Sequence, residues 1–149
     1  MGKIVEEGIK LTDEEMRLIV LFEGLTRAEV KDCVIDKERN RVIFVVKEGF
    51  MGLAIGRRGT NIRRIKRLIG KDVEVVEYAE DPREFLKKIL TPARVRAIRI
   101  IEKEEGEKMA VIEVEPEDKG IAIGRGGKNI QKARILMKRH FNVDRVLIV

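Results

Sequence analysis

The chain has 149 residues, 44% of them hydrophobic and 39% charged, with a net charge of +6 and a sequence pI near 9.5. That length suits one ordinary domain or two small ones, the composition excludes a disordered chain, and the basic balance favours polyanionic partners. A single cysteine, Cys33, excludes an internal disulfide and any multi-thiolate metal site, and no run approaches ~18 apolar residues, so no membrane-spanning helix is expected.

The N-terminal stretch "MGKIVEEGIK" lacks the apolar core of a signal peptide, so a cytoplasmic protein is expected. Thr12, with Glu15 three residues on, predicts a capped helix whose apolar residues include Leu18, Ile19, Leu21 and Phe22. Two strands follow, Val30 to Ile35 and Val42 to Val46, joined by a polar turn at Asn40, with Cys33 a buried strand thiol. Next comes a short helix rich in small residues, Gly52 and Ala54, read as room for another helix to approach. The loop "GRRG" (Gly56 to Gly59), a basic helix and a strand from Val73 to Val76 complete this half.

After the brief link "YAEDP", Asp81 followed by Pro82 predicts a second capped helix carrying Phe85, Leu86, Ile89 and Leu90. Strands Val95 to Ile101 and Ala110 to Val114 flank a turn at Gly106. Gly120 and Ala122 mark another short helix, and "GRGG" (Gly124 to Gly127) leads into a further basic helix. The last strand is expected from Val146 to Val149. His140, the only histidine, reads as packing or surface, and no paired-carboxylate or Ser/His constellation stands out, so no enzyme, cofactor, metal or small-molecule substrate is expected.

The two halves are copies. Residues 41–69 align without a gap on residues 109–137, an offset of 68 that matches Gly56 with Gly124, Gly59 with Gly127, and Asn61-Ile62 with Asn129-Ile130. "LTRAEV" at 25–30 returns as "LTPARV" at 90–95. The reading is an α+β protein of two domains, 1–80 and 81–149, each a small three-stranded sheet packed by about three helices, with the short link expected to hold them in a fixed relation.

Neither glycine loop fits a nucleotide fold. A Walker loop needs a leading glycine where Ala122 stands and a hydroxyl where Asn129 stands, and G-x-G-x-x-G spacing is absent. Helix capping accounts for one such loop alone. Charge placement favours a clamp on a sugar-phosphate backbone. Residues 49–71 hold seven basic and no acidic residues, and residues 119–143 repeat that count, while all 26 acids lie elsewhere. Glycines admit close approach, and the N-terminus of a following helix attracts phosphate.

An isoleucine before G-x-x-G, between two short helices flanked by strands, resembles the KH RNA-binding domain. The helix and strand that precede each core resemble its type II order. The succession of "LTPARV" and "IAIGRGGKNIQKARIL" resembles the paired KH region of NusA-like transcription factors, the short archaeal members above all. That resemblance implies single-stranded RNA as partner, with a role in transcription elongation or termination on nascent transcripts and RNA polymerase as a second partner by family membership alone. A ribosome-assembly or pre-ribosomal RNA factor is the alternative, since KH folds occur there too.

Carried over by position, the first clamp is Gly56, Arg57, Arg58 and Gly59, with Asn61, Arg63 and Arg64 behind it. The second is Gly124, Arg125, Gly126 and Gly127, with Lys128, Asn129 and Lys132. Ile55, Ile62, Ile123 and Ile130 form either a floor under the bases or plain core. Aromatics are only 4%, with no tryptophan, which argues against base-stacking platforms.

Overall fold

The computed structural model describes residues 4–6 and 9–149. The chain divides into two compact units, Met1–Ala79 and Glu80–Val149.

In the first unit, β1 (Ile4–Glu6) and β2 (Ile9–Leu11) pair antiparallel. No sequence pattern pointed to this pair, because three-residue strands are too short to show a period. Helix α1 (Asp13–Thr26) opens on the expected capping box: Thr12 Oγ1 accepts from the Glu15 N–H at 3.2 Å, and Glu15 Oε1 accepts from the Thr12 N–H at 2.9 Å. Its buried stripe is Glu15, Ile19, Phe22 and Thr26, at helical spacing. Leu21, one of the apolar residues of this helix, lies off that stripe and is exposed.

Strands β3 (Val30–Asp36) and β4 (Arg41–Val46) pair antiparallel, and β5 (Asp72–Glu77) joins β4 in parallel, giving the sheet order β3-β4-β5. A parallel pair needs a crossover. Helix α2 (Met51–Ile55), the glycine loop and α3 (Thr60–Ile69) supply it. On α3 the isoleucines at 62, 65 and 69 turn inward, Ile65 completely, while Arg63, Arg64, Lys66 and Arg67 stay in solvent. Val42, Phe44 and Val46 of β4 meet α1 and α3 residues in one core, where Phe22 and Phe44 stack at 4.2 Å between ring centroids.

The second unit repeats this plan. Asp81 caps α4 (Pro82–Leu90) by accepting from the Arg83 N–H at 2.9 Å, with Pro82 at the first helical position. Strands β6 (Val95–Glu102), β7 (Lys108–Val114) and β8 (Arg145–Ile148) order as β6-β7-β8, with β7–β8 parallel. The final strand stops one residue short of the expected Val149. Helices α5 (Lys119–Ile123) and α6 (Lys128–Phe141) enclose the second glycine loop. His140 packs edge-on against Phe85 at 5.6 Å, and Cys33 is buried on β3.

The small residues expected to admit a neighbouring helix, Gly52 with Ala54 and Gly120 with Ala122, divide: only the alanines face inward. A Cβ on either glycine would meet nothing within 4 Å, whereas Ala54 and Ala122 are fully buried. In so short a helix one side faces the core, and the glycines stand on the other.

Candidate nucleic-acid interface

Each glycine loop interrupts what would otherwise be one helix. Helix α2 ends where the Gly56 N–H donates to the Gly52 carbonyl at 2.9 Å, and Gly124 does the same to Gly120 at 2.9 Å. Gly56 then adopts φ 77°, ψ 169°, and Gly124 φ 80°, ψ 165°. That region is open almost only to glycine. One tight turn follows, in which the N–H of the second glycine donates back to the first glycine's carbonyl at 3.0 Å in both loops. Gly59 and Gly127 are left-handed at φ 74° and 78°, and a new helix starts at once.

The sequence reading assigned the missing Cβ of the first glycine to the ligand. The structure gives it an internal cause as well. A Cβ on Gly56 would lie 2.8 Å from both the backbone N and the Cγ of Asn61, and on Gly124 it would lie 2.8 Å from the Asn129 N and 2.9 Å from its Cγ. Each asparagine sits under the loop and donates its Nδ2 to a carbonyl of the preceding helix, Leu53 or Ile121, at 2.7 Å. The asparagines therefore fasten the two helices across the turn.

The N-termini of α1 and α4 are closed by side-chain acceptors, whereas α3 and α6 begin at Gly59 and Gly127, which have none to offer. Their first N–H groups and positive dipole ends thus lie beside the loop without a side-chain cap. Arg57, Arg58, Arg63 and Arg64 are exposed around the first loop, as are Arg125, Gly126 and Lys128 around the second. Lys132 differs from its repeat partner Arg64. It is 8% exposed, because residues 132, 133, 136 and 137 form the inward stripe of α6, so it does not join the solvent-facing set. Further along the helices, Lys66 pairs with Asp72 at 3.6 Å and Lys138 with Asp144 at 2.6 Å. Those two pairs offset part of the positive charge on the parts of the helices far from the loops.

Several neighbours escaped the sequence reading. Leu53 and Ile121, matched in the repeat, are 48% and 45% exposed, beside the open flanks of Gly52 and Gly120. Ile123 is exposed, while Ile55, Ile62 and Ile130 are partly buried. In the second unit Gly120, Ile121, Gly124, Arg125, Lys128 and Asn129 line one open depression. The signal for Leu53 and Ile121 was present: an apolar residue kept at the same offset, three positions before the first glycine. Another tie joins the entry to β6 with the start of α5, where Asp118 accepts from the Arg94 N–H at 2.8 Å and Nε at 2.9 Å. Those bonds hold the Asp118 carboxyl below its ordinary range.

A three-stranded sheet with one parallel pair, crossed over by helix, G-x-x-G and helix, defines each unit as a KH domain in the type II order. The KH domain family matches residues 17–80, and the NusA-like second KH domain matches residues 82–147. Among curated proteins the chain is similar to the probable transcription termination protein NusA of Methanocaldococcus jannaschii, at 33% identity over 142 residues, covering 95% of this chain and 75% of that one. With the protein of the same name from Halobacterium salinarum, identity is 40% over 136 residues, covering 91% and 95%. Among solved structures, the crystal structure of APE1850 aligns with a TM-score of 0.86 at 40% identity, covering 93% of this chain and all of that one. This chain belongs to the archaeal NusA family of tandem-KH proteins.

Proposed function

We propose that the chain binds single-stranded RNA through both glycine loops and acts on nascent transcripts, in the transcription termination for which its relatives are named. One observation carries this reading. The same exposed, uncapped and acid-free turn is built twice, with matched backbone angles, from loops of different sequence. Sugar-phosphate would run past the loop, where helix N–H groups and the loop arginines Arg57, Arg58 and Arg125 meet its oxygens. Leu53, Ile121 and Ile123 offer aliphatic surface to the bases. Asn61 and Asn129 act through the loop they fasten.

Domains 1–80 and 81–149 each contribute one clamp. Only residues 78–81 separate β5 from α4, so engaging the second clamp is an intramolecular event with a gain in effective concentration. RNA polymerase is proposed as a second partner on family grounds, and the activity as binding without turnover in the cytoplasm. Among the described residues no helix is long and apolar enough to cross a membrane, and no cluster of His, Cys, Asp or Glu fits a metal ion.

The test is anisotropy titration of a labelled single-stranded RNA. With about six phosphates neutralised, the log–log salt slope is expected near −4. Arg57→Asp combined with Arg58→Asp should weaken binding at least tenfold while leaving thermal unfolding unchanged, because both side chains are exposed. A flat salt response, or full affinity in the folded double variant, would refute the reading.

A further inference from the structure

We propose that Arg63 is a positioning residue of the first loop, one that holds the Arg58 backbone in its left-handed conformation and does not itself contact RNA phosphate. This rests on the RNA-binding reading above and deepens it.

The third position of the turn is left-handed in both units, at φ 55°, ψ 29° for Arg58 and φ 62°, ψ 19° for Gly126. Glycine enters that region freely. An L-residue is disfavoured there by about fivefold or more. The first loop therefore carries two arginines at the expense of a strained backbone, and something must hold it.

Two observations place Arg63 in that role. Its Nη1 donates to the carbonyl oxygen of Arg58 itself, five residues back. To do so the guanidinium crosses the bare face of Gly59, where a Cβ would lie 2.9 Å from Nη1. A charged donor on a carbonyl is among the stronger hydrogen bonds, and here it closes on the strained residue.

The second unit supplies the contrast. Gly126 takes the left-handed position without strain, and residue 131, matched to Arg63, is glutamine. The nearest group to a Cβ on Gly127 is only Ile130 Cγ2, at 3.8 Å. Arginine occurs behind the loop that needs holding, and glutamine behind the loop that does not. A purely electrostatic role would give no reason for the side chain to fold back over Gly59.

The experiment compares wild type, Arg63→Gln, Arg58→Gly and the double variant. In the free protein, exchange of the Gly59 amide, which donates to the Gly56 carbonyl at 3.0 Å, should speed up about fivefold in Arg63→Gln. It should not change further between Arg58→Gly and the double variant. With labelled single-stranded RNA, Arg63→Gln should lose about fivefold in affinity with little change in salt slope, and the loss should shrink below about twofold on the Arg58→Gly background.

A slope shallower by about 0.7 would mark a direct phosphate contact and overturn the assignment. Unchanged Gly59 exchange, or an equal affinity loss on both backgrounds, would overturn it too. Failure of the functional reading looks different: the wild-type chain would then bind no RNA, while the exchange measurement still reports on the loop.

Discussion

Replacing the first glycine of either loop with alanine tests the geometry most directly. At Gly56 the backbone sits at φ 77°, ψ 169°, and strain of this kind in a residue with a side chain amounts to about 1–3 kcal/mol. The new methyl would also press to 2.8 Å on the Asn61 N and Cγ, contacts that real Cβ atoms do not make. Relief requires Asn61 to move and loosens its hydrogen bond to the Leu53 carbonyl, a further ~1 kcal/mol. Gly56→Ala and Gly124→Ala should therefore each destabilise their unit by about 2–4 kcal/mol, a large share of a typical total of ~5–15 kcal/mol. Gly126→Ala has open space around its Cβ and only the left-handed penalty of ~1–2 kcal/mol. Urea denaturation followed by circular dichroism would rank the variants. Equal stability for Gly56→Ala and Gly126→Ala would show that the asparagine does not fill the space beneath the first glycine, and the account of the loop would fail.

Gly52→Ala and Gly120→Ala should do the reverse, raising stability by about 0.5–1 kcal/mol each, since both are helical positions with free space. If RNA passes over that open flank, the same methyls should lower affinity in the anisotropy titration, and a gain in stability with undiminished binding would place the strand elsewhere. Acid should weaken the second unit: Asp118 is held down by its hydrogen bonds from Arg94, and Asp144 by those from Lys138 and the Lys108 N–H. Both carboxylates bind protons more weakly folded than unfolded, so their stabilisation is complete at neutral pH and is lost as pH falls below about 4. Denaturation midpoints from pH 2.5 to 7 should show that loss, and Asp118→Asn with Asp144→Asn should flatten it; an unchanged profile would refute the assignment.

Much of the fold could be read from the chain because its determinants are local. Thr12 with Glu15 and Asp81 with Pro82 announce helix starts within four residues, and both starts are observed. Valine- and isoleucine-rich runs mark the strands to within a residue or two. The β1–β2 pair has strands too short for a pattern to show. Periodicity defines the apolar stripe of α1 without saying where its edge falls, and Leu21 lies beyond it. Lys132, expected with the RNA-facing residues of the second clamp, faces inward because α6 turns a wider face to the core than α3 does.

By itself, the sequence determined that two copies of one basic, glycine-bounded unit exist, where the helices and the strands of the two three-stranded sheets lie to within a residue or two, and that acids are kept from both loop regions. Those properties follow from neighbours a few positions apart and from self-comparison. Only the tertiary structure decided what each side chain at the loops does: Asn61 and Asn129 reaching back eight residues, Arg63 crossing Gly59 to the Arg58 carbonyl, and Gly52 and Gly120 left facing solvent. Such roles depend on how one helix is rotated against another. That rotation is set by core packing around Ile65, Leu136 and their neighbours, and no local run of residues encodes it.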